Sequence, residues 1–92
     1  MDEIVLHDRD HYRFYLELDD EEAYIQYNIL PSGELNFYKT YVPESHRGKR
    51  YAEKLMKAGL DYARRQELKI KPSCSYVVNY FEKNPQDSFL RV

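Results

Sequence analysis

The apolar residues change period once, at Arg50, and that change confines the chain to a narrow set of folds. Before it, Tyr12, Phe14, Leu16 and Leu18 alternate with Arg13, Tyr15 and Glu17, the period of two that a half-buried strand requires. Ala23, Ile25, Tyr27 and Ile29 repeat the pattern against Tyr24, Gln26 and Asn28, and Leu35 to Val42 form a third run. After it, Ala52, Leu55, Met56, Gly59, Leu60 and Ala63 fall at i, i+3, i+4, i+7, i+8 and i+11, the stripe of an amphipathic helix. Glu53, Lys54, Lys57, Asp61, Arg64 and Arg65 take its other face.

The punctuation agrees with this division. "DDEE" at Asp19–Glu22 reads as a solvated turn. In "LPSGEL", Pro31 suits position i+1 and Gly33 position i+3 of a type I turn, and Pro43 ends the third strand. Gly59 weakens a helix by ~1 kcal/mol relative to Ala, so its place within the stripe implies a helix lying close against the sheet. Leu68, Ile70 and Pro72 alternate with Lys69 and Lys71 as a short fourth strand. Ser73 or Ser75 can cap a second helix, whose buried face is Val77, Tyr80 and Phe81 and which Asn84-Pro85 stops. The tail "DSFLRV" is expected to dock through Phe89 and Leu90. The order is β-β-β-α-β-α, and a strand-helix-strand sequence implies one parallel crossover. The expected fold is α+β: a three-stranded antiparallel meander, a βαβ unit and a C-terminal helix, in one domain over residues 1–92.

Composition excludes several function classes. Sixteen acidic against fourteen basic residues, net charge -2, oppose wholesale nucleic-acid binding, which needs a strong basic field. No apolar run approaches the ~20 residues that span a bilayer, and "MDEIVLHDRD" is no signal peptide. A single Cys allows no internal disulfide and fits a reducing compartment, so the expectation is a small cytoplasmic domain, monomeric or weakly dimeric. His7 and His11 lie in or before a strand, where their spacing makes no metal pair. No His, Cys or carboxylate set has metal-ligand spacing.

Against the net negative charge, "PESHRGKRYAEKL" gathers Arg47, Lys49 and Arg50 beside Gly48 where a helix is about to begin. A helix N-terminus disfavours neighbouring cations by roughly 0.3–1 kcal/mol each. Either the loop is merely solvated, or the missing partner is an anion. Strand, basic Gly-containing loop and helix start together form a generic anion site. The segment matches neither the GxxxxGK[ST] of a nucleotide-binding P-loop nor the GxGxxG of a dinucleotide fold, and from the residues alone both readings stand.

The run from Val42 to Pro85, "VPESHRGKRYAEKLMKAGLDYARRQELKIKPSCSYVVNYFEKNP", resembles the small single-domain branch of the GNAT acetyltransferase superfamily, whose members are similar to this chain over nearly its whole length. That superfamily's coenzyme A loop has the pattern Arg/Gln-x-x-Gly-x-Gly/Ala, and Arg47 fits its first position and Ala52 its last. "VP" before the loop, "LDYAR" in the helix, "PSCSYV" after the fourth strand and the closing "NP" complete the likeness. Two positions depart from it. Arg50 stands where the family has its central Gly, and Lys39 and Tyr41 stand where the branch tends to carry His and Glu. If that Gly has positive φ, Arg50 strains the backbone and weakens coenzyme binding; if φ is helical, only crowding opposes it.

The resemblance implies acetyl-CoA as co-substrate and an amine, not named by the sequence, as acceptor. The pantetheine arm would lie between the splayed ends of the third and fourth strands, and the pyrophosphate on the amides around Arg47–Ala52. The implied coenzyme-binding set is Val42, His46, Arg47, Gly48, Lys49, Arg50, Tyr51, Ala52, Ser73 and Cys74. Acetyl transfer needs a deprotonated amine, a donor for the oxyanion and a proton for the departing thiolate. Cys74, beside a helix start that lowers thiol pKa, is either a thiolate nucleophile or orienting group, or a small buried hydrophobe. Tyr76 and Tyr80 are candidate proton donors or packing residues. His46 either touches phosphate or is an exposed loop residue. Two other functions compete: a non-catalytic module holding a phosphate-bearing or acidic ligand, and a single-stranded nucleic-acid binder using the Tyr-rich sheet, which the acidic turn opposes.

Overall fold

The computed structural model describes residues 4–92; the first three residues of "MDEIVLHDRD" lie outside them. Strands β1 (Leu6–Asp8), β2 (Arg13–Leu18), β3 (Glu21–Ile29) and β4 (Leu35–Tyr41) precede helix α1 (Tyr51–Gln66), followed by β5 (Ile70–Pro72) and helix α2 (Ser75–Lys83). Short 3-10 turns occupy Glu44–His46 and Pro85–Leu90. The five strands form one sheet in the order β1-β2-β3-β4-β5. The first four pair antiparallel, and β5 runs parallel to β4 through Leu35↔Ile70, Asn36↔Lys71 and Phe37↔Pro72. The fold is thus the expected α+β class with a βαβ crossover. It differs in one respect: β1 lengthens the antiparallel part from three strands to four.

Most alternating residues do what their period requires; Tyr12, in a turn at φ 55° before β2, and Ile29, at the end of β3, are exposed instead. Phe14, Leu16, Leu18, Ala23, Ile25, Leu35 and Phe37 are buried and meet Leu55, Met56, Leu60 and Ala63 of α1 in one hydrophobic cluster that Val77 and Phe81 of α2 join. Burial of this kind stabilises by roughly 25 cal/mol per Å² of apolar surface. At Gly59 the helix lies hard against the sheet, since a Cβ there would stand 2.7 Å from Phe37 Cε2. The Leu30 carbonyl accepts from Gly33 N–H at 2.8 Å, closing the β3–β4 turn as its Pro and Gly predict.

One feature of β4 controls the site. Gln26 pairs with Lys39 but Tyr27 pairs with Phe37, so Tyr38 is an extra residue, a β-bulge. Strand side chains alternate, so the bulge reverses which residues face the helices. Leu35 and Phe37 face inward before it. After it Thr40, opposite buried Ile25, faces inward, and Lys39 and Tyr41 face the other way.

The chain's end corrects one expectation. Leu90 is buried and Val92 N–H donates to the Ile70 carbonyl at 2.9 Å, but Phe89 is exposed. The tail docks through Leu90 and its backbone alone. Among the described residues, no helix is long and apolar enough to cross a membrane, and no group of three or more His, Cys, Asp or Glu is placed to hold a metal ion.

Candidate functional site

Beyond Phe37 and Pro72, β4 and β5 have no further ladder partners and separate. A cleft of about 440 Å³ lies between the end of β4, the loop into α1 and the start of α2. Thr40, Tyr41 and Val42 line it from the strand, and His46, Arg47, Gly48 and Arg50 from the loop. Tyr51, Ala52 and Glu53 line it from α1, and Tyr76 from α2.

The loop has the backbone of an anion cradle. Gly48 (φ 83°) and Arg50 (φ 65°, ψ 24°) are both left-handed, separated by Lys49. Turns of this kind present N–H groups to a concave face. Arg50 is the N-cap of α1 and no side-chain oxygen caps the helix, so its first turn presents donors without the usual Ser, Thr, Asp or Asn acceptor. Arg47 is tied back, its Nε donating to the Val42 carbonyl at 2.9 Å. Arg50 extends outward, its side chain 83% exposed and 3.7 Å from Glu53. These features suit a phosphate-bearing ligand.

His46 is not the exposed loop residue that its position in the sequence suggested. Its side chain is only 13% exposed, with Nε2 3.7 Å from Asp19 Oδ2 and 3.8 Å from Glu21 Oε2. Its Nδ1 is buried without a hydrogen-bond partner.

Cys74, rather than Ser73 or Ser75, is the N-cap residue of α2. Its Sγ lies 3.4 Å from Thr40 Oγ1, bridging the gap where the strands part. Burial pushes the thiol up, but the Thr40 hydroxyl and the backbone N–H groups of Val77, Tyr76 and Thr40 outweigh it and hold it below the ordinary thiol value. No side-chain cap bond of full geometry is formed there, so those amides act mainly through their dipoles. Burial, reinforced by Glu53, Tyr80 and Cys74, pushes the Tyr76 hydroxyl up to about 12.

The remaining expected residues lie apart. Lys49 is exposed and does not line the cleft. Ser73 sits at the strand edge, its hydroxyl bonded to the Asn36 side chain and its N–H to the Phe37 carbonyl. Tyr80 faces a different groove, of about 360 Å³, with its hydroxyl 3.4 Å from Asp87. Burial first, then Asp87, raises that hydroxyl above its ordinary value. Thr40 and Glu53 line the cleft without having been singled out, and so does Tyr41, noted in the sequence only as a departure from the family pattern. The bulge hid Thr40, and Glu53 reads on a helical wheel as part of the solvated face.

A family model described as "GCN5-related N-acetyl-transferase" matches residues 13–90. This chain belongs to the GCN5-related N-acetyltransferase family. Its relatives within that family include Protein NATD1 of Mus musculus and of Homo sapiens. Each is 31% identical over 88 residues, covering 94% of this chain and 80% and 78% of the relative. Protein NATD1 of Danio rerio is 28% identical over the same length. The NMR solution structure of a GCN5-like protein from Staphylococcus aureus superposes with a TM-score of 0.78 at 27% identity, covering 97% of this chain and 87% of that one. For this GNAT domain the likeness therefore extends over the sheet, both helices and the cleft-forming loop.

Proposed function

We propose that this chain binds acetyl-CoA in the cleft and transfers its acetyl group to an amine. The observation that carries the reading is the junction at β4. An uncapped helix entered through two left-handed residues shares one cleft with Tyr76, beside the Thr40–Cys74 contact. Phosphate oxygens are the natural partners of the loop amides around Gly48 to Ala52. Val42, His46, Arg47, Tyr51 and Ala52 flank them. Lys49 and Ser73 contribute at most from the rim.

Acetyl transfer forms a C–N bond as the thioester C–S bond breaks; the attacking amine gives up an N–H proton to solvent, and the sulfur leaves as a thiolate that takes up a proton. Tyr76 faces this cleft and keeps its proton near neutrality, so it can hydrogen-bond to the departing sulfur. With the hydroxyl pushed to about 12 and an ordinary thiol near 8.5, full proton transfer is uphill by roughly 4–5 kcal/mol. Tyr76 thus acts as a hydrogen-bond donor, and solvent supplies the proton. Cys74, with its lowered thiol pKa, orients the acyl group or attacks it. Tyr80 packs, since its hydroxyl is turned to Asp87.

A thiol-release assay with acetyl-CoA and a panel of amines tests the reading, together with thermal shift. A ligand at 100-fold its Kd stabilises by about 2.7 kcal/mol. Stabilisation with amine-dependent thiol release is expected. Stabilisation without release by any amine would favour a non-catalytic module for a phosphate-bearing ligand, which the strained Arg50 specifically allows. Response to neither would sink both.

A further inference from the structure

We propose that the acceptor is a zwitterion, an amino acid whose ammonium rests on the ring of Tyr41 and whose carboxylate pairs with Lys39; this rests on the acetyl-CoA reading above and names its substrate class. The bulge at Tyr38 sends both side chains to the sheet face away from the helices. There Tyr15, Tyr24 and Tyr41 stand directly opposite one another on β2, β3 and β4 and form a cross-strand row. The Tyr24 and Tyr41 rings are 5.4 Å apart. Arg13, Gln26 and Lys39 make the neighbouring row in the same register. Tyr41 ends its row 39% exposed and also lines the cleft. The cleft therefore opens onto this face at that ring, next in sequence to Thr40 and its contact with Cys74.

Two groups at this mouth lack the partners that their neighbours have. Arg13 lies over the Tyr15 ring at 4.4 Å, and Lys39 Nζ is 5.8 Å from the Tyr24 centroid. No cation of the described residues lies over Tyr41. Tyrosine faces attract cations through the ring quadrupole, and an alkyl amine is a cation near neutral pH. The charges divide in the same way. Arg13 is answered by Glu22 at 2.7 Å and Asp8 at 3.7 Å. Lys39 is exposed, and among the described residues no carboxylate pairs with it. A bare amine arriving at Tyr41 meets repulsion from Lys39. An acceptor that carries a carboxylate beside its amine turns that repulsion into a charge-assisted hydrogen bond. In the reaction the bound ammonium first releases one proton to solvent at the cleft's mouth. The neutral amine then attacks the thioester carbonyl, the C–N bond forming as the C–S bond breaks. A second N–H proton leaves to solvent, and the thiolate takes up a proton. An exposed ring holds an ammonium weakly, so Tyr41 orients the amine without trapping it in its charged form.

Thiol release from acetyl-CoA by the whole chain, with alanine and phenylalanine against ethylamine and phenethylamine, reads the carboxylate directly. The wild type should prefer each amino acid to the amine that lacks its carboxylate. Lys39→Gln should raise KM for the amino acids about tenfold and lower it for the amines, erasing most of that preference. The acceptors' differing amine basicity is common to both proteins and cancels in the comparison. Tyr41→Leu should raise KM for both classes, and Tyr41→Phe, which keeps the ring, should restore it. The Kd of acetyl-CoA, measured without acceptor, should be unchanged in Lys39→Gln, a readout showing that its cleft is intact. Equal kcat/KM for amino acids and amines in the wild type, or a preference that survives Lys39→Gln, overturns the proposal while leaving the acetyl-CoA reading intact. Absence of acetyl-CoA binding, or of thiol release with any of the four acceptors and the wider amine panel, overturns that reading, and this one with it.

Discussion

Thr40 and Cys74 meet across the gap where β4 and β5 part, Oγ1 to Sγ 3.4 Å, because the bulge at Tyr38 turns Thr40 inward. Were Tyr38 a regular strand residue instead of a bulge, Lys39 and Tyr41 would face inward in place of Thr40. The thiol, held below its ordinary value, should be alkylated by iodoacetamide with a pH midpoint below that of a free thiol, and acetyl-CoA should slow the reaction. Cys74→Ala should leave coenzyme affinity within a few-fold and lower turnover. Unchanged turnover would reduce Cys74 to packing.

Gly59→Ala should destabilise the protein. Helix propensity alone predicts a gain of ~1 kcal/mol. A Cβ, however, would stand 2.7 Å from Phe37 Cε2 and 2.8 Å from Cζ, and Phe37 is fully buried with no open side to move into. Overpacking costs about 1–3 kcal/mol, so a net loss of about 1 kcal/mol is expected from urea denaturation. A gain would show that the Phe37 ring gives way.

Arg50→Gly should stabilise the fold and tighten acetyl-CoA binding together. Arg50 is left-handed at φ 65°, a conformation that costs a side-chain-bearing residue about 1–2 kcal/mol. Its ion pair with Glu53, at 3.7 Å with the Arg side chain 83% exposed, returns no more than about 0.5 kcal/mol. Binding about tenfold tighter, ~1.4 kcal/mol, is expected once the Cβ is gone from the loop. Simple electrostatics predicts the opposite sign. Weaker binding by Arg50→Gly would make the guanidinium a phosphate ligand.

The far end of the sheet should impose a pH dependence on stability. His7 stacks on Phe14 at 4.1 Å, and its Nε2 lies 2.6 Å from the Tyr27 hydroxyl. Burial, helped by Arg9 and opposed by Asp8, lowers the His7 pKa from 6.5. The native state then binds fewer protons than the unfolded one, so stability is complete above about pH 6.5 and declines as pH falls below it. Carboxylates ordinarily titrate near 4 and lie outside this window. Melting temperatures of wild type and His7→Gln between pH 7.5 and 5.5 check this: the wild type should lose stability and the variant should be nearly flat. Parallel curves would contradict it.

The elements legible in the sequence were those with a repeating period. Phe14 to Leu18, Ala23 to Tyr27 and the Ala52–Ala63 stripe recur on one face and lie where the period puts them, whereas Tyr12 and Ile29, at the ends of their runs, are exposed. Strand β1 has only Leu6, His7 and Asp8, too short for a period, and its pairing with β2 is a tertiary fact. The bulge at Tyr38 breaks the alternation without any Gly or Pro to mark it, which concealed Thr40. His46 is buried because the β2–β3 turn folds over it through Asp19 and Glu21, a contact between segments 25 residues and more apart that no local pattern encodes. Phe89 and Leu90 are adjacent apolar residues, and only the backbone bridge between Ile70 and Arg91 decides which one points inward.

Amide NMR during titration with acetyl-CoA is the most direct test of where, and whether, the coenzyme binds. Perturbations should concentrate at Thr40–Val42, His46–Glu53 and Cys74–Tyr76, and spare the His7–Tyr27 end of the sheet. Absence of saturable shifts, or shifts centred on the groove at Tyr80 and Asp87 instead, would contradict an acetyl-CoA site in the β4–α1 cleft.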